Sequence, residues 1–162
     1  ATLETRDPLG TFVGSARNSS GTLLVTGEGS RVTTGQIVIG FSGDGSVTLR
    51  DKARLDSAFS WLGYDVDTTG AAFVGGASEW ASTRLELARS GTASLDVVDG
   101  GVVRTGELLL AAAGRATVTV EGDGSGLIGK GNATLGGANA AATGQAELTV
   151  RDGGTLDLSG LL

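Results

Sequence analysis

The chain has no cysteine, no histidine and no methionine, a single proline, and only two tryptophans, one tyrosine and four phenylalanines in 162 residues. Without cysteine there is no disulfide framework and no thiolate metal site. Without histidine, the commonest metal ligand and the commonest general base near neutral pH are both missing. The composition therefore leads to the expectation of no cofactor, no metal and no catalytic residue. No run approaches the roughly 18 consecutive apolar residues of a membrane span, so no membrane insertion of this segment is expected. The opening ATLETRDPLG is not a signal peptide, and any export signal of a parent protein is expected outside this chain. The net charge is −6 with acids and bases interspersed. No basic run is present to displace phosphate counterions, which argues against nucleic acid as a partner.

Glycine is what the chain has in excess, 29 residues against a usual share of roughly 7%. With Pro8 alone beside them, these glycines belong to the turns of an ordered chain and not to a collagen-like or proline-rich segment. The apolar 40% is mostly Val, Leu, Ile and Ala, which suits a thin, layered core in a chain of one-domain length.

Hydrophobicity alternates with period 2: Leu23 and Val25, Val47 and Leu49, Val118 and Val120, and Leu148 and Val150 each flank a residue pointing the other way. Each such strand is followed by a Gly- or Asp-rich turn and one apolar anchor. The anchors are Val32, Leu55, Trp80, Val103, Leu127 and Leu156, at spacings of 23, 25, 23, 24 and 29. Five residues later, or six in the fifth copy, an apolar pair ends in a small residue, as in Ile37-Val38-Ile39-Gly40 and Leu85-Glu86-Leu87-Ala88. A period near 24 with three short strands predicts an all-β fold, a right-handed single-stranded parallel β-helix. About six coils of 23–25 residues are expected, with three sheets in which each strand pairs with its equivalent one coil away. Residues 1–14 read as a partial N-terminal coil. Counting Val25, Phe73 and Val120 as the last inward residues, odd coils have a seven-residue step to the anchor and even coils six, which makes the unit a pair of coils of about 48 residues. Ser60 stands where a Leu or Ile is expected, and Lys52-Ala53-Arg54 where two glycines are expected.

That two-coil unit, a G-x-G-S-x-(V/W/L) turn alternating with a D-G-G-x-(V/L) turn and followed by (I/L)-x-(I/L)-G, resembles the repeats of type V secretion autotransporter passengers and exported PEP-CTERM-associated proteins. The resemblance covers about Phe12 to Leu162. It implies a surface-exposed, adhesin-like scaffold, extracellular or on the bacterial outer surface, and a segment of a longer exported passenger. Partners implied are a host surface or glycan, and the protein itself through exposed β-helix ends.

Loops of 8, 6, 7, 6, 6 and 11 residues, counted from Ser15, Phe41, Tyr64, Arg89, Ala112 and Gly137, are all predicted on one corner of the solenoid, where repeat proteins commonly carry binding surfaces. Tyr64 to Gly70 offers an aromatic and two carboxylates, Asp65 and Asp67, as a candidate ligand or calcium contact; a solvated loop accounts for the same residues. Gly137 to Glu147 reads as a flexible excursion. Trp61 is expected to alternate out of the column of Val38 and Leu109 and so to be exposed. An exposed Trp stacks on sugars, and with Tyr64 it forms the sugar-binding candidate. Phe73 and Trp80 are expected in the core.

The stacked Ser30, Ser78 and Ser125 have no base beside them and read as turn residues, as do Asp51, Asp99 and Asp152. Gly43-Asp44-Gly45 and Gly122-Asp123-Gly124 lack the tandem nine-residue pattern of calcium-binding rolls. The alternative to a scaffold is a polysaccharide-binding or polysaccharide-cleaving β-helix, a lyase or hydrolase. Cleavage by hydrolysis needs two carboxylates about 5 to 9.5 Å apart in a groove, and Asp56, Asp65, Asp67 and Glu79 are the candidates. Convergence of two or more of them with an Arg would favour that reading.

Overall fold

A computed structural model describes residues 1–5, 10–137 and 143–161; the excursion expected from Gly137 to Glu147 falls in part on residues 138–142, outside the described residues. Among the described residues the chain is fourteen strands and no helix. Numbered in chain order, the long strands are β4 (Arg31–Ile39), β6 (Arg54–Leu62), β8 (Glu79–Leu87), β10 (Val102–Leu110), β12 (Gly126–Leu135) and β14 (Thr155–Leu161). They alternate with β3 (Ser20–Thr26), β5 (Asp44–Arg50), β7 (Thr69–Val74), β9 (Thr92–Val97), β11 (Arg115–Glu121) and β13 (Gln145–Arg151). Every pairing is parallel, each strand to its equivalent one coil away. The molecule is a parallel β-helix. Its first level is split into β1 (Thr2–Thr5) and β2 (Thr11–Val13), which pair with the two halves of β4.

The ladders form two sheets and not the three expected, because two of the three strands of each coil run on as one nine- or ten-residue strand. The corner between them survives inside that strand. In β4, Val32 and Thr34 face inward, then the phase slips and Ile37 and Ile39 face inward. The pairing skips Gly35, Ala58, Thr83 and Gly106 at that point. A hydroxyl holds the bend: Thr34 donates to the Gln36 carbonyl at 2.8 Å, Ser82 to Arg84 at 2.8 Å and Thr105 to Glu107 at 2.6 Å. These residues are buried, so the hydroxyls satisfy themselves within the turn they create.

Val32, Leu55, Trp80, Val103, Leu127 and Leu156 occupy one register column, as the spacing predicted. The extra residue of the fifth copy is a bulge between Gly129 and Ala133 opposite Thr105 and Leu108. Ser60 lies buried in the column of Ile37 and Leu85, and its missing volume sits beside the column that holds Trp80, the largest fully buried side chain. Its hydroxyl is part of a chain in which the Trp80 indole N–H donates to Ser57 at 3.3 Å, with Ser57 and Ser60 at 2.7 Å and Ser60 and Ser82 at 3.0 Å.

One core assignment is overturned. Phe73 is paired with Thr48 and Asp96 in an outward row, while Val74 takes the inward place between Leu49 and Val97. The Phe73 ring lies 5.0 Å under the Arg50 guanidinium instead. The step from last inward residue to anchor in that coil, Val74 to Trp80, is therefore six residues and not seven, and strict alternation of turn lengths breaks there.

The small residue closing each coil has a backbone reason. Gly14, Gly40, Gly63, Ala88, Ala111 and Gly136 all have φ between 57° and 78°, the left-handed region in which a Cβ is penalised. At Gly40 a Cβ would also lie 2.4 Å from the Thr69 carbonyl oxygen of the next coil. The closing N–H groups still donate to the coil below, as Gly63 does to Ile39 at 2.9 Å and Ala88 to Leu62 at 2.7 Å. The chain turns this corner without leaving its ladder.

Candidate functional site

Each closing residue delivers the chain to the corner loop that follows, and the loops stack. Phe41 N–H donates to Gly14, Tyr64 N–H to Gly40, and Asp65 N–H to Phe41, at 3.0, 2.9 and 3.1 Å. Asp44 N–H donates to Ser19 and Thr92 N–H to Thr68, both across one level. All these loops share a single corner, as expected. Between the first three of them lies a cleft of about 570 Å³, walled by Arg17, Ser19, Ser42, Asp44, Asp65 and Asp67. Two of its carboxylates brace the loops: Asp65 accepts from the Ser42 hydroxyl at 2.7 Å and Asp44 from the Thr69 N–H at 2.9 Å. Asp67 sits at φ 62° on an exposed turn. Neither Asp67 nor Arg17 has a hydrogen-bond or ion-pair partner among the described residues. Among the described residues no three acidic side chains converge as a group able to hold a metal ion.

Beside the cleft, five of the chain's aromatic rings form a continuous strip. Phe12 meets Phe41 edge-on at 5.4 Å, Phe41 meets Tyr64 at 5.2 Å, Tyr64 meets Trp61 edge-on at 6.2 Å, and Trp61 stacks on Phe59 at 5.8 Å. Arg89, from the following corner loop, caps Tyr64 with its guanidinium 4.8 Å from the ring. The two ends of the strip, Phe12 and Phe59, are 40% and 45% exposed. Trp61 does face outward, but not for the reason read from the sequence. It shares its row with Val38 and Leu109, and that whole row is on the outside. Glu86 lies in the same row, almost fully buried, and accepts from the Trp61 indole N–H at 3.2 Å. Trp61, Tyr64, Asp65 and Asp67 are thus brought to one corner, with the rings on the strip and the carboxylates in the cleft.

Asp56 and Glu79 do converge with arginine, on the outer face of the first arm of the long strands and apart from Asp65 and Asp67. Arg54 donates to both Asp56 oxygens, at 2.8 to 3.0 Å, and to Glu79 at 2.8 Å. Arg31 pairs with Asp56 at 2.8 Å and Arg104 with Glu79 at 3.2 Å. Each carboxylate is therefore bound by two guanidinium groups, a charge-assisted ladder across four levels. The hydrogen bond to Asp56 raises the Arg54 pKa above its ordinary value, burial works against it, and the charges of Asp56 and Glu79 add to it. A general acid–base pair needs carboxyl groups free to reach substrate, whereas these face the arginine between them. A shallow groove of about 400 Å³ beside Asp56 and Arg104 runs along this face.

The stacked serines hold turns together. Ser78 accepts from the Ala53 N–H and Ser125 from the Gly100 N–H one coil below, each at 3.1 Å, with both serines buried. Asp51, Asp99 and Asp152 have φ of 58°, 49° and 51°, so they serve as left-handed turn residues. The Asp51 carboxylate accepts from the Thr26 hydroxyl of the coil below at 2.7 Å.

Sequence reading alone did not assemble Arg17, Asp44, Phe12, Phe41, Phe59 or Arg89 with the site. The signal for two of them, Phe41 and Arg89, was present, since the first loop residue runs Phe41, Tyr64, Arg89 at the repeat spacing. No protein-family model matches the chain, and neither a curated protein nor a solved structure is significantly similar to it.

Proposed function

We propose that this chain is a non-enzymatic β-solenoid scaffold, adhesin-like and displayed outside the cell, whose work is to present its stacked corner loops. One observation carries the reading. Asp56 and Glu79 on the outer sheet face are each held between two arginines, while the stacked corner loops enclose a cleft in which Arg17 and Asp67 have no hydrogen-bond or ion-pair partner among the described residues. The 48-residue sequence unit, similar to that of exported autotransporter passengers and PEP-CTERM-associated proteins, supports the extracellular setting. Protease treatment of intact source cells is expected to remove the protein, and beads coated with it are expected to adhere to surfaces that bare beads do not. Full protection from protease in intact cells, released only by lysis, would overturn the reading.

The polysaccharide-cleaving reading keeps one supporting observation, the placement of Asp56, Glu79, Arg54 and Arg104 beside a groove. Release of reducing ends or unsaturated uronates by the purified chain, abolished in Asp56→Asn and Glu79→Gln, would establish it in place of the scaffold.

A further inference from the structure

The positions that form the aromatic strip recur in later levels without aromatic residues, and the solenoid closes there equally well. The row of Trp61 continues as Glu86 and Leu109, and that of Phe59 as Arg84 and Glu107. The corner position occupied by Phe41 and Tyr64 continues as Arg89 and Ala112. The repeat is its own control: at identical backbone sites the fold accepts Glu, Arg, Leu and Ala. Rings concentrated on one exposed stretch of such sites mark a recognition surface.

We infer that the aromatic strip and the adjoining corner cleft bind an uncharged oligosaccharide, a step that rests on the display-scaffold reading and names what the displayed corner takes. A sugar ring has an apolar C–H face and a rim of hydroxyls. The strip supplies ring faces and edges, and the cleft next to Phe41 and Tyr64 supplies the Arg17 donor and the Asp67 acceptor. Charge selects the class of sugar. On the strip Glu86 is paired with Arg84 and Arg89 caps Tyr64, so the excess of negative charge lies in the cleft, where Asp44, Asp65 and Asp67 stand against Arg17 alone. Uronates, sulfated glycans and phosphate-bearing ligands are repelled by that balance. Shape selects against a folded protein partner, which needs a broad patch of about 800 Å² with an apolar centre. The rings meet one after another in a single file, and the cleft beside them is lined by charged and polar side chains.

Isothermal titration of the whole chain with cellohexaose, N-acetylchitohexaose and hexagalacturonate tests this. A neutral hexamer is expected to bind and hexagalacturonate not. Tyr64→Arg and Trp61→Leu, which insert residues that other levels carry at those sites, are each expected to weaken binding by roughly tenfold. Asp67→Asn, on an exposed turn, is expected to weaken it too and serves if either ring variant fails to melt cooperatively. Phe73→Thr, an outward ring away from the strip, is expected to leave affinity unchanged. Failure of both neutral hexamers to bind at millimolar concentration overturns the inference, as does undiminished binding in the strip variants or binding of hexagalacturonate alone. Assaying the same samples for released reducing ends keeps the two readings apart. Cleavage by the wild type would remove the scaffold reading and leave the sugar site standing; neither cleavage nor binding would remove the sugar site alone.

Discussion

Every aromatic residue of the chain lies between Phe12 and Trp80, and from Ala81 to Leu162 there is none. Both halves nevertheless build the same ladders, with Leu85, Leu87, Leu95, Leu110 and Leu127 fully buried in the second as Ile37, Ile39, Leu49, Leu55 and Leu62 are in the first. Aliphatic columns suffice because each inward side chain packs on its equivalent one coil away, about 4.8 Å distant, so the core is filled along the axis and needs no large rings. Of the aromatic residues only Trp80 is fully buried in the core, where it adjoins the position of the small Ser60. The strip rings and Phe73 are on the outside. What distinguishes the two halves is therefore their surface and not their means of folding.

The sharpest break of that symmetry is expected at Trp80. Trp80→Ala removes a fully buried indole next to a column already short of volume at Ser60, and it should cost about 3–5 kcal/mol by urea denaturation. Loss below about 1 kcal/mol would mean the neighbouring columns collapse into the space. Next in size is the corner. Gly40→Ala places a Cβ against the Thr69 carbonyl at a left-handed φ and should cost about 2–3 kcal/mol. Ala88→Gly, at the equivalent corner of a later coil, should stay within about 1 kcal/mol of wild type, because relief of strain offsets the lost methyl burial and the added chain entropy. Equal effects at the two corners would show that the close approach at Gly40 is relieved cheaply.

A smaller effect is expected on the charged face. Arg54→Met leaves Asp56 with Arg31 and Glu79 with Arg104, and the half-exposed pairs should lose only about 1 kcal/mol. That difference should shrink in high salt, where exposed charges are screened; a salt-independent loss would point to packing of the Arg54 stem instead. The smallest effect belongs to the strip. Tyr64→Arg should move stability by less than about 1 kcal/mol, since a ring pair at an exposed site contributes little beyond its area. A larger loss would make the strip part of the fold and dissolve the contrast between the halves.

Period and column were legible from residue order. The anchors Val32 to Leu156, the extra residue of the fifth copy and the corner position of the loops all followed from spacing, because a solenoid repeats one short-range pattern and stacks it. Phe73 was misread because Phe73 and Val74 are adjacent apolar residues, and period-2 alternation has no way to choose between two neighbouring phases. The pairing of Val74 with Leu49 and Val97 made that choice. The fusion of two strands into β4 and its equivalents was equally invisible, since Thr34, Ser82 and Thr105 look like surface residues until their hydroxyls are seen closing a buried bend.

The order of residues by itself determined that this chain is a parallel β-helix with an aliphatic core, and that Trp61, Tyr64, Asp65 and Asp67 come within reach of one corner. Only the tertiary structure decided what stands beside them. Phe12, Phe41 and Arg17 come from different coils, and stacking, which sequence spacing records only as a period, sets which side chains of successive levels touch. The same stacking gave Asp56 and Glu79 to Arg54 and left Asp67 and Arg17 facing the cleft.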